Sequence, residues 1–269
     1  MKEEHGVVLS IAGQGCRIEC PDNPAAIRAL KSDLPQFVSD MEPALTVSIR
    51  FDRGMQDAAT PGWKALKMER TRDGFLAHGP SHWILVLPEL NRIEARIPRY
   101  FQVGTVLRIG ISTILPLSGR GFLSHAAAVA NREGAYLFPG LPEAGKSTVV
   151  ANSPGRRALT EETAVITKDN GRFQVFGFPL WARFDILSMT DQPTPLAGMF
   201  LLKKGTPRIN PVSRSEALGY LLQNICFPLV DPQARERVIE VASEFVREVP
   251  CAELVFGKNP EFWRCIERG

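Results

Sequence analysis

Gly140-Leu141-Pro142-Glu143-Ala144-Gly145-Lys146-Ser147 follows the pattern G-x-x-x-x-G-K-S. Glycines open backbone torsions closed to other residues, so successive N–H groups can turn inward onto phosphate oxygens. A helix starting at Lys146 would add its positive N-terminal end. The spacing gives Lys146 to the β and γ phosphates and the Ser147 hydroxyl to Mg²⁺. The flanks supply the context that the pattern needs. Ala135-Tyr136-Leu137-Phe138 is an apolar strand entering the loop, and Thr148-Val149-Val150-Ala151-Asn152 continues a helix until Pro154-Gly155 stops it. Two residues fit less well: Pro142 removes a donor N–H, and Glu143 puts a like charge near phosphate. The residues expected around a nucleotide are Gly140, Leu141, Pro142, Glu143, Ala144, Gly145, Lys146, Ser147 and Thr148.

Working outward, residues 122–130 are apolar and Asn131-Arg132-Glu133-Gly134 is a turn, which predicts a hairpin with the strand that enters the loop. If Ala130 faces Ala135, the register carried along the ladder sets His125 opposite Gly140. A histidine there either donates to a phosphate or to an accepting hydroxyl, or is buried and bonded to backbone. Fifteen residues after Lys146, Ala158-Leu159-Thr160 is a short strand that ends in Glu161-Glu162. Phosphoryl transfer with Mg²⁺ needs one carboxylate near the metal and one to accept the hydroxyl proton. Strand neighbours point to opposite faces, so the two glutamates have different jobs. The expected catalytic set is Glu161, Glu162 and His125, with Ser147 and Glu162 at the metal and ATP and Mg²⁺ as cofactors.

The amino-terminal half has a different character. Residues 7–11 and 16–20 read as strands joined by Gly13-Gln14-Gly15, and further strands are expected at 45–51, 74–77, 82–87 and 92–97. Asn23 before Pro24 predicts a helix start, and residues 98–115 read as an apolar helix weakened by Gly104 and Gly110. The loop at 117–121 marks the boundary between a β-rich α+β region, 1–117, and the loop-bearing domain, 118–269. In the second, Ser213 with Glu216 forms a capping box, and Asp231-Pro232 starts another helix with Val238, Val241, Ala242, Phe245 and Val249 on one face. Cys16 and Cys20 share a strand face and predict core packing rather than metal. His78 and His82 are assigned to surface or turn, Lys203-Lys204 to a solvated loop and Arg183 to a surface ion pair.

Composition narrows the partners. Of 269 residues, 44% are hydrophobic and 23% charged, which argues for a globular chain, and a formal charge of +3 argues against nucleic acid or a membrane surface as the main partner. No uninterrupted apolar stretch is long enough to predict a membrane span, and the first residues lack the pattern of a signal peptide. Five cysteines, an odd number, predict reduced thiols and a cytoplasmic setting. The oligomeric state stays open.

Ser124-His125-Ala126-Ala127-Ala128-Val129, then Tyr136-Leu137-Phe138-Pro139-Gly140 through Gly145-Lys146-Ser147-Thr148, resembles the HPr kinase/phosphorylase-related kinases, closest to the small members of peptide-modification gene clusters. The resemblance covers residues 118–257. It implies an α/β phosphate-loop domain with a mixed sheet, similar to the nucleotide domain of phosphoenolpyruvate carboxykinase. It also implies a histidine strand beside the loop strand and an acidic pair ending the next strand. The pair is Glu161-Glu162 here where relatives carry Asp-Asp, and the segment between loop and pair is shorter. The function implied is ATP-dependent transfer to a hydroxyl, a serine of a peptide or small protein. The Glu-Glu pair and Pro142-Glu143 speak for a non-catalytic nucleotide-binding regulator or scaffold instead. A small-molecule carboxykinase would need further metal ligands and a set of arginines that the sequence does not display.

Overall fold

The computed structural model describes residues 6–56, 66–178, 191–226 and 232–267 of the chain. The chain divides into two compact units, the first taking Met1–Ser118 with Phe227–Arg235 and the second Gly119–Cys226 with Glu236–Gly269. It is a mixed α/β protein with two mixed sheets.

Alternation at period two builds the first sheet. Its strands are β1 (Gly6–Ile11), β2 (Gln14–Glu19), β3 (Pro43–Phe51), β4 (Lys67–Arg70), β5 (Phe75–Gly79), β6 (His82–Leu87) and β7 (Arg92–Ile97), in the order β1-β2-β3-β7-β6-β5-β4. Val47 and Ile49, Ile84 and Val86, and Ile93, Ala95 and Ile97 are buried, while their strand neighbours face the other way. β2 and β3 are parallel and are bridged by α1 (Pro24–Asp33). Its start follows the capping expectation: Asn23 Oδ1 accepts from Ala26 N at 3.2 Å, and Pro24 takes the first helical position, where a missing N–H costs nothing.

α2 (Val103–Leu117) packs on β6 and β7. Gly110 has a packing reason: a Cβ there would fall 1.9 Å from Ile93 Cδ1, so the glycine lets helix and sheet approach. Residues Tyr100–Leu117 are the one stretch among those described that is long and apolar enough to cross a bilayer, and 78% of it is buried inside the protein. Cys16 and Cys20 lie in this core as expected. His82 does not meet its surface assignment: it is fully buried, with Nδ1 2.9 Å from Ser81 Oγ, and burial lowers its pKa.

The second sheet holds β8 (Gly121–Ser124), β9 (Ala126–Ala130), β10 (Ala135–Pro139), β11 (Arg157–Thr160), β12 (Ala164–Asp169), β13 (Arg172–Gly177), β14 (Thr194–Lys204), β15 (Arg208–Pro211), β16 (Ile225–Cys226) and β17 (Cys251–Phe256). The order is β11-β9-β10-β14-β13-β12-β8-β16, with β17 on β14 and β15 on β17. β14 is the hinge of this sheet: Thr194 and Pro195 pair with β13, Leu196–Met199 run parallel to β10, and Met199–Lys204 run parallel to β17. Lys203 and Lys204 therefore end a strand rather than lie in a loop, and Lys203 Nζ is 3.4 Å from Glu253 Oε2.

The hairpin register is as expected, Ala130 facing Ala135 and Ala126 facing Pro139. One difference matters: residues 122–130 are not a single strand. The chain breaks at His125, so β8 pairs with β12 and β16 while β9 pairs with β10 and β11.

Behind β9, β10, β14 and β17 lies an aromatic core with Tyr136, Phe138, Phe200, Phe256, Phe262 and Trp263, closed by α3 (Lys146–Ala151) and α6 (Phe262–Ile266). Phe138 is fully buried, stacked 5.9 Å from Phe200 and edge-on 6.2 Å from Trp263. Truncating such a residue to alanine costs about 3–5 kcal/mol. The Trp263 indole N–H donates to Ser153 Oγ at 2.9 Å, that hydroxyl donates to Val149 O at 2.6 Å, and the Arg156 guanidinium lies 4.2 Å over the ring. The helix that starts at Lys146 is thereby fixed at its far end.

α4 (Arg214–Asn224) starts at the expected cap, with Glu216 N donating to Ser213 Oγ at 3.2 Å, the N-cap half of the capping box. α5 (Pro232–Glu248) buries Val238, Val241, Ala242 and Phe245, and Phe245 meets Phe122 and Phe173 edge-on at 5.5 and 5.1 Å. Asp231 and Arg183 lie outside the described residues.

Candidate functional site

Topology brings three chain ends to one edge of the second sheet. β9 is antiparallel to both β10 and β11, so its start lies where β10 and β11 finish. The residues at that edge are His125 just before Ala126, Gly140 just after Pro139, and Glu161-Glu162 just after Thr160. His125 is doubly tied by its backbone: its N–H donates to Asn224 O at 2.7 Å, and its carbonyl accepts from Gly140 N at 3.2 Å. Its side chain is half-buried.

The loop of residues 140–147 joins β10 directly to α3. Gly145 adopts φ 107° and ψ 17°, a left-handed conformation, and a Cβ there would fall 2.6 Å from Phe256 Cζ. No other residue type suits that position. Glu143 also has positive φ, at 68°, which costs a non-glycine residue about 1–2 kcal/mol. Leu141, Pro142 and Glu143 are exposed, Ala144 and Thr148 half-buried, and Ser147 exposed. The Ala144 N–H donates back to Leu141 O at 3.1 Å.

Lys146 is only 8% exposed, and its Nζ donates to Gly140 O at 2.6 Å and Leu141 O at 3.3 Å. The ammonium thus lies across the start of its own loop. Burial pushes its pKa below the ordinary lysine value, opposed by Glu162, Cys226 and Glu161 in that order. That opposition brings both glutamates within electrostatic reach of Lys146. Glu161 is 4% exposed and Glu162 half-exposed, so the two carboxylates do occupy different environments.

The acidic turn and His125 are neighbours as well. Ala164 and Ile225 both pair with Ser124, one on either side of β8. One step further, Asn224 O accepts from His125 N, and Thr163 immediately precedes Ala164. Both Thr163 and Asn224 are buried, and Thr163 Oγ1 and Asn224 Oδ1 have no hydrogen-bond partner among the described residues.

Tyr220 is a site residue that the sequence did not single out. Its hydroxyl donates to Pro139 O at 3.2 Å and accepts from Leu202 N at 3.2 Å, bridging β14 to the residue before the loop. Asn224 Nδ2 donates to Tyr220 O at 2.9 Å, continuing the link toward His125. The only signal was a Tyr and an Asn at i, i+4 near the end of an apolar helical stripe.

A magnesium ion bound together with a nucleotide takes most of its ligands from phosphate and water and needs few from a protein. Ser147 and Glu162 are accessible, and among the described residues no cluster of three or more His, Cys, Asp and Glu could hold a metal unaided. Neither a protein-family model nor a curated protein sequence matches the chain.

Proposed function

We propose that the chain is an ATP-dependent kinase with an HPr kinase-like phosphate loop, transferring a phosphoryl group to a hydroxyl, a serine of a peptide or small protein. The observation that carries the reading is the convergence of the G-x-x-x-x-G-K-S loop, a buried lysine and two carboxylates at one sheet edge. In this reading the Lys146 ammonium leaves Gly140 O and Leu141 O for phosphate oxygens, exchanging neutral acceptors for charged ones. Magnesium, held through Ser147 and Glu162, would neutralise the phosphate charge. The acceptor oxygen bonds to the γ phosphorus as the bond to the β–γ bridging oxygen breaks, ADP leaves, and Glu161 or His125 takes the hydroxyl proton. Free cysteines are in keeping with a cytoplasmic setting.

A non-catalytic nucleotide-binding regulator is the second reading. The enclosure of Glu161 and the exposed Glu143 carboxylate beside the loop favour it.

The experiment is thermal unfolding with and without ATP and Mg²⁺, paired with radiolabel transfer to candidate peptides. At a hundredfold excess over Kd, ligand stabilises the native state by about 2.7 kcal/mol. Lys146→Ala is expected to fold and to lose that shift. A shift unchanged in this variant overturns the site, and binding without transfer to any peptide favours the second reading.

A further inference from the structure

The exposed face of the first sheet carries its charges in rows. Register places Arg17, Thr46 and Arg92 in one row, Glu19, Ser48 and Glu94 in the next, and Arg50, Arg96, Trp83, His78 and Lys67 in a third. The first two rows neutralise each other. Arg17 Nε is 2.7 Å from Glu19 Oε1, and Arg92 Nε is 3.1 Å from Glu94 Oε1. His78 in the third row has its own carboxylate, Glu69 at 3.0 Å.

Lys67 lies at the far end of the third row, beyond His78, and Arg50 and Arg96 remain side by side at the other. They are lateral partners on the parallel strands β3 and β7, both exposed, and neither has an ion pair with a described residue. Like charges side by side on a sheet repel each other unless something lies between them. Arg96 is also held in place, its guanidinium 5.3 Å from the centre of the Trp83 ring. Ser48, Arg50, Trp83, Arg92, Glu94 and Arg96 line a cleft of about 240 Å³. Its charge sums to two uncompensated guanidinium groups, since Glu94 is taken by Arg92.

From this geometry we infer a second binding site, an oxyanion site between Arg50 and Arg96. The planar forks of two adjacent guanidiniums match a phosphate group or paired carboxylates, which accept two N–H bonds from each. Trp83 supplies a flat wall for the body of the ligand, and Ser48 a hydroxyl. The ligand class is a phosphate-bearing small molecule or an acidic peptide side chain, the two sources sharing one chemistry. The inference does not rest on the kinase reading.

The test uses the full chain carrying Lys146→Ala, so that the phosphate loop does not compete. Pyrophosphate and a hexaglutamate peptide are each titrated by calorimetry at low ionic strength. At least one probe is expected to bind saturably and to weaken as salt is added. Arg50→Gln and Arg96→Gln should each lower its affinity about tenfold, because each removes a charged donor pair. Arg17→Gln, on the same face but already neutralised by Glu19, should leave it unchanged. Saturation by pyrophosphate alone identifies a phosphate ligand, and saturation by the peptide identifies a carboxylate ligand. Absence of saturable binding by either probe, or affinity undiminished in both arginine variants, overturns the site. All three arginines are exposed, so the substitutions do not disturb the core.

Discussion

The carbonyl of His125 accepts the N–H of Gly140 at 3.2 Å, so the residue that breaks the strand β8–β9 also holds the first residue of the loop. The backbone bonds of His125 to Asn224 and Gly140 do not depend on which side chain it carries. His125→Gln is therefore expected to retain the ATP-dependent shift in melting temperature. If the ring handles the acceptor proton, transfer slows by about 10²–10⁴-fold. Label transfer measured beside the thermal shift checks this, and an unchanged rate removes the ring from proton handling.

Tyr220→Phe keeps the ring and deletes the bridge between Pro139 O and Leu202 N. The Leu202 N–H is left without its acceptor, a loss worth about 1–3 kcal/mol when the group is buried. Urea unfolding should show a lower midpoint with an unchanged slope, and nucleotide affinity should fall with it. Wild-type stability and affinity in this variant would show that the loop does not lean on Tyr220.

Glu161 and Glu162 should separate by phenotype. Glu162 is the more accessible and opposes the lowered Lys146 pKa more strongly. Glu162→Gln is expected to weaken Mg²⁺-dependent ATP binding, whereas Glu161→Gln keeps binding and loses transfer. Isothermal titration with and without Mg²⁺ distinguishes them; equal losses in both variants would argue against divided roles.

Cys16 and Cys20 give a pH-dependent readout. Burial pushes both thiols from 9.0 up to about 12, with Asp22 adding to the effect at Cys20. The unfolded chain releases these protons near pH 9 and the folded chain only near 12, so stability falls as pH rises across that interval. At pH 8 both should resist iodoacetamide until denaturant is added. Peptide mapping of alkylated protein decides; rapid native labelling of either would contradict its burial.

Local chemistry was the legible part of this chain. Asn23 and Ser213 cap helices because their side-chain oxygens meet N–H groups three residues on. The hairpin register follows from one turn and carries His125 to Gly140. The central strand β14 was not legible, because Pro195 and Gly198 are strand breakers in isolation and are tolerated only where neighbouring strands fix them. The break at His125 was hidden too, since an unbroken apolar run does not say that its two halves join different partners. Tyr220 reaches the loop from a helix about eighty residues later in the chain, a relation that no local pattern encodes.

Trp263 gives the molecule an optical reporter of its own. Its indole is bonded to Ser153 and covered by Arg156, just beyond the helix that Lys146 begins. Indole emission depends on hydrogen bonding and on nearby charged groups, so any loosening or tightening of α3 changes the signal. With the other three tryptophans, Trp63, Trp83 and Trp181, replaced by phenylalanine, rapid-mixing fluorescence can follow events at the loop in real time, with no dye attached.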